Sequence, residues 1–172
     1  LANKLTISRI ILIPIFMIVL LNRIQFGEYI AAVIFIIAAS TDGLDGYIAR
    51  KRKEITNLGK LMDPLADKLL IAAALVTLVE MTEISAWVAV VIIGREFFVT
   101  GLRSVAAAEG VIIAASKLGK IKTVTQIVAI SAILLNDFPL SLLNITFGKY
   151  AIYIAVFFTI WSGIDYYIKA RR

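Results

Sequence analysis

Six apolar stretches, each near the length of a membrane-crossing helix, leave this 172-residue chain few ways to fold. A helix rises 1.5 Å per residue, so about 20 apolar residues cross the hydrocarbon core of a bilayer. The stretches fall near 6–22, 29–50, 60–80, 84–108, 120–136 and 148–168, and each predicts one transmembrane helix. Hydrophobic residues make up 60% of the chain, and the mean hydropathy is +0.92. A soluble domain runs near 45–50% apolar. One small core cannot hide the excess, so lipid must cover it. The expectation is an all-α integral membrane protein with six transmembrane helices, a single membrane-embedded domain over 1–172. Pro14 in the first stretch is a tolerable kink. LANKLTISR runs into that stretch with no small-residue cleavage site, so the first span is expected to stay.

The charges set an orientation. The formal charge is +6. Because the basic residues border apolar spans, anionic headgroups explain them better than nucleic acid, and no nucleic-acid partner is expected. The turns near 22–28, 81–84 and 137–149 hold only Arg23 and Lys149 as basic residues. The other side holds Lys4, the run Arg50-Lys51-Arg52-Lys53, Lys117, Lys120 and the tail Lys169, Arg171 and Arg172. Positively charged loops stay in the cytoplasm. Six spans with both termini cytoplasmic satisfy every alternate loop. Trp87 and Trp161 read as bundle or interface anchors.

Into this oily chain the stretch 42–67, DGLDGYIARKRKEITNLGKLMDPLAD, sets four aspartates. A carboxylate near membrane depth is expensive and needs a reason. Asp42 and Asp45 lie in the last turns of the second span, Asp63 and Asp67 in the first turns of the third, with Lys51 to Leu58 as the connection. Residues three or four apart share a helix face, so two antiparallel neighbours would gather four carboxylates at the cytoplasmic end. Bare, they would repel one another; divalent cations turn that repulsion into binding. The chain has no Cys and no His, which excludes disulfides, thiolate sites and histidine bases. Oxygen-only donors point to Mg²⁺, Mn²⁺ or Ca²⁺ rather than zinc. Gly46 and Gly59 make room for close approach. Pro64 either opens a helix with Asp63 as its cap or frees the Lys60 carbonyl within one. The competing readings are headgroup-level charges on a structural scaffold and a cation transporter. Matched carboxylate faces argue against the first. The basic set Arg50, Arg95, Arg103, Lys120 and Lys122 argues against the second, because it suits an anionic substrate.

The same stretch resembles the signature of the CDP-alcohol phosphotransferase family, D-x2-D-G-x2-A-R-x8-G-x3-D-x3-D. It matches at every fixed position: Asp42, Asp45, Gly46, Ala49, Arg50, Gly59, Asp63 and Asp67. Residues 91–110 and 116–126, with the opening NKLTISR, are similar to the bacterial members that make phosphatidylglycerophosphate. The resemblance implies that family's six-helix fold, often a homodimer, in the bacterial cytoplasmic membrane with the active site facing the cytoplasm. It implies transfer of a phosphatidyl group from CDP-diacylglycerol to glycerol 3-phosphate with release of CMP, using two divalent ions, Mg²⁺ or Mn²⁺. Asp42, Asp45, Asp63 and Asp67 would hold the metals, and Asp67 would also take the acceptor's hydroxyl proton. Asp42, Gly46, Ala49, Arg50 and Asp63 would bind the CDP donor.

An acceptor with its own phosphate needs a basic pocket apart from the metals. Arg103, Lys120 and Lys122 are the candidates, with Arg95 in addition. Each has a plainer reading: Lys117 and Lys120 as loop charges, Arg103 as a snorkelling side chain, Arg95 as an ion pair with Glu96. Thr123 and Gln126 lie near the face of Lys122. The aspartate signature is shared by phosphatidyltransferases that use inositol phosphate, phosphatidylglycerol or serine. The choice among them falls to Gly94-Arg95-Glu96 and Gly119-Lys120-Ile121-Lys122-Thr123.

Overall fold

A computed structural model describes the backbone of residues 2–22, 24–52, 57–110, 116–138, 142 and 146–170. Within these, the side chains of 2–6, 41–64 and 170 are not described. Six long helices follow one another: α1 (Ala2–Leu21), α2 (Gly27–Arg52), α3 (Asn57–Glu80), α4 (Ala86–Ala108), α5 (Lys117–Leu134) and α6 (Phe147–Ala170). The all-α, six-helix expectation holds. α2 and α3 run further than expected, to Arg52 and from Asn57, and take up half of the expected Lys51–Leu58 connection. Backbone hydrogen bonds propagate a helix whether or not its side chains are apolar, so charge at a helix end does not stop it. Pro64 falls inside α3, not at its start, so its missing N–H leaves the Lys60 carbonyl without that partner.

The helices form two compact units. The first comprises Leu1–Glu83 with Leu134–Asn136, and the second Ile84–Ile133 with Asp137–Arg172. In the first, α1, α2 and α3 all touch one another. On α1, Arg9, Ile13, Phe16 and Leu20 are buried at helical spacing, and Phe16 meets Phe35 of α2 with ring centroids 6.1 Å apart. Yet Ile7, Ile11, Ile15 and Ile18 of the same helix point outward. α3 ends in a Schellman turn: the N–H of Glu83 reaches the Leu78 carbonyl and that of Thr82 the Val79 carbonyl, with Thr82 at φ 62°.

In the second unit α4 packs on α6. Ser85 caps α4, accepting the Trp87 N–H at 3.3 Å. α6 is inverted relative to a soluble helix: Thr159 and Ser162 are fully buried while Phe157, Ile160 and Ile164 are exposed. Small and polar residues toward neighbours, with apolar residues outward, is the pattern lipid selects. Among the described residues, Phe147–Lys169 is the one helix segment long and apolar enough to cross a membrane, and only 33% of its apolar window is buried. Ile7–Leu21 and Gly27–Ser40 are shorter apolar segments. Charges interrupt the others: aspartates in α2 and α3, Arg95, Glu96 and Arg103 in α4, three lysines in α5.

Candidate active site

The aspartates occupy the helical register expected of them. Asp42 and Asp45 lie one turn apart near the end of α2, and Asp63 and Asp67 one turn apart in the first half of α3. The two helices are in contact. Asp67 is half-buried beside the fully buried Ala66. The side chains of Asp42, Asp45, Gly46, Ala49, Arg50, Gly59 and Asp63 lie outside the described residues. Among the described side chains no three potential metal ligands converge. As a donor set, four carboxylates without Cys or His suit a hard divalent cation that takes oxygen ligands.

The second unit holds a basic cluster. Arg95 and Lys122 converge on one carboxylate: an Arg95 guanidinium nitrogen lies 3.2 Å from Glu96 Oε1, and Lys122 Nζ pairs with the same oxygen. The three side chains are only 10%, 15% and 6% exposed for Arg95, Glu96 and Lys122. Both cations thus share one Glu96 oxygen at a place where water does little to screen them. α6 holds Arg95 from its other side. Ser162 Oγ accepts from a guanidinium nitrogen at 2.5 Å, and the Tyr166 ring lies 5.6 Å from the guanidinium carbon. The buried Arg95 Nε has no hydrogen-bond partner among the described residues. Gly163 admits the arginine stem, since a Cβ there would meet Arg95 Cγ at 3.3 Å.

The four basic residues expected to grip an acceptor phosphate thus divide. Arg95 and Lys122 are brought together, while Arg103 and Lys120 are exposed on α4 and α5. Lys117 is exposed as well. The expected Arg95–Glu96 ion pair is present, but it is one edge of a three-membered cluster. Gln126 turns its amide to α6, donating to Thr159 Oγ1 at 2.9 Å, and Thr123 bonds back to the Gly119 carbonyl. Sequence reasoning missed Ser116, Ser162 and Tyr166. The signal for α6 was present: Thr159, Ser162 and Tyr166 repeat at three and four residues, one polar stripe on an apolar helix.

A family model for CDP-alcohol phosphatidyltransferases matches residues 1–161. Three curated relatives carry the name CDP-diacylglycerol–glycerol-3-phosphate 3-phosphatidyltransferase. That of Bacillus subtilis (strain 168) is 50% identical, over 98% of this chain and 94% of its own. That of Haemophilus influenzae is 41% identical, over 97% and 91%. That of Rickettsia felis is 36% identical, over 100% and 96%.

Proposed function

The chain belongs to the CDP-alcohol phosphatidyltransferase family, and from that membership we propose that it transfers the phosphatidyl group of CDP-diacylglycerol to glycerol 3-phosphate. The products are phosphatidylglycerophosphate and CMP, and the protein is a membrane-associated transferase of phosphatidylglycerol synthesis. One observation carries the reading: half of all positions agree with a relative of that name across nearly the full length of both chains.

Asp42, Asp45, Asp63 and Asp67 would hold the divalent ions, Mg²⁺ or Mn²⁺. Neutralisation of the pyrophosphate and of the departing CMP is what such ions supply when bound. Gly46, Ala49 and Arg50, with Asp42 and Asp63, receive the CDP moiety, the small residues giving the nucleotide room. Asp67 takes the proton of the acceptor hydroxyl as that oxygen bonds to the lipid-bearing phosphorus, and the bond from this phosphorus to CMP breaks. Arg95 and Lys122 grip the phosphate of glycerol 3-phosphate, with Lys120 and Arg103 adding charge from exposed positions. Support for that grip is the convergence of two largely buried cations and the Arg95 Nε donor, unpartnered among the described residues, which an anion would satisfy.

The six helices all cross the cytoplasmic membrane on this reading, with both termini and the site at the cytoplasmic face, and the chain pairs as a homodimer. The alternate-loop charge split and the outward apolar faces of α1 and α6 support the crossing. One assay tests the reaction. Purified protein with CDP-diacylglycerol is offered glycerol 3-phosphate, inositol phosphate, serine or phosphatidylglycerol in turn. CMP release and lipid product should appear with glycerol 3-phosphate. Product with another acceptor alone would reassign the substrate, and cation flux without CMP release would make the protein a transporter.

A further inference from the structure

Tyr166 on α6 is 4% exposed and touches two things at once. Its ring lies under the Arg95 guanidinium, 5.6 Å from carbon to centroid. Its hydroxyl accepts the backbone N–H of Ser116 at 3.0 Å. Ser116, also buried, begins α5: its Oγ accepts the Gly119 N–H at 3.0 Å, the bond an N-capping serine makes. The tyrosine sits against this first turn: a Cβ on Gly119 would be in van der Waals contact with the hydroxyl, at 3.4 Å, and a larger side chain would crowd it. One turn on, Lys122 leaves α5 for Glu96, the carboxylate it shares with Arg95.

From this geometry we infer that Tyr166 is a positioning residue for the acceptor site. Its ring places Arg95 and its hydroxyl fixes the start of the helix that carries Lys122, so one side chain sets the spacing of the two cations. A planar phosphate face needs its donors at fixed separation, and a small misplacement costs binding rather than chemistry. The role rests on the reading that Arg95 and Lys122 grip the acceptor phosphate. Tyr166 acts only through those two cations.

The test is steady-state kinetics of the full chain in mixed micelles, with each substrate varied. Tyr166→Phe keeps the ring and removes the acceptor of the Ser116 N–H. It should raise KM for glycerol 3-phosphate about 5-fold, the scale of one net hydrogen bond, leaving kcat and the CDP-diacylglycerol KM within about 2-fold. Combined with Lys122→Gln, its effect should be smaller than the product of the two single effects, because both act on one grip. An unchanged acceptor KM, a rise in both KM values together with a fall in kcat, or full independence of the two substitutions would each overturn the role. Lys122→Gln alone separates the two failures. If it raises the acceptor KM while Tyr166→Phe does not, only the positioning role falls; if it leaves that KM unchanged, the acceptor reading itself is wrong. Should Tyr166→Phe fail to accumulate as folded protein, Gly119→Val crowds the same hydroxyl from α5 and must give the same selective rise.

Discussion

Among single residues, Asp67 and Lys122 make opposite demands on a substitution. Asp67→Asn keeps size and removes the proposed proton acceptor, so transfer to every acceptor should vanish, measured as CMP release. Asp45→Asn should lower metal-dependent turnover by about 100-fold or more, the scale of losing an electrostatic stabiliser, and near-normal turnover at low Mg²⁺ would take Asp45 out of the metal site. Lys122→Gln should leave CDP-diacylglycerol binding intact and raise KM for glycerol 3-phosphate by about 10- to 150-fold, the value of a charge-assisted hydrogen bond. Arg103→Ala should raise the same KM by less, because its exposed guanidinium is screened by water. A larger effect from Arg103 would move the grip to the far end of α4. The aspartates were legible because their spacing is local, three and four residues along single helices. Tyr166 was not, because its partners stand 50 and 71 positions away in the chain (Ser116 and Arg95), and only folding brings them together.

The helices themselves were read from hydrophobic runs, and the places where that reading shifted have a common cause. α5 begins at Lys117, earlier than its apolar run, because Ser116 caps it there; the cap, not the first apolar residue, defines the start. α2 and α3 extend through charged residues that no hydropathy scan counts as helix. The other end of α3 carries its own test. Thr82 holds a left-handed φ of 62° in the Schellman turn, a conformation a β-branched residue adopts at a cost. Thr82→Gly should relieve about 1 kcal/mol and raise the thermal midpoint in detergent. A lower midpoint would mean that the Thr82 hydroxyl, 2.6 Å from the Met81 carbonyl, contributes more than the backbone costs.

For the molecule as a whole, the lack of cysteine in the sequence makes the proposed six-span path simple to test. Single cysteines replacing Lys53 and Lys117 should be labelled from the cytoplasmic side, and one replacing Thr82 only from the opposite side. Labelling of the Lys53 and Thr82 positions from one side would reject the six-span arrangement. The six helices were legible because apolar runs mark them, whereas the division into two packed units was not, since no linker or composition shift marks it. That division separates two kinds of selection. On the proposed reading, the carboxylates of the transfer lie in the first unit and the cluster that grips the acceptor's phosphate in the second. On that reading, substitutions in α4 to α6 would change which alcohol is accepted and leave the transferring carboxylates untouched.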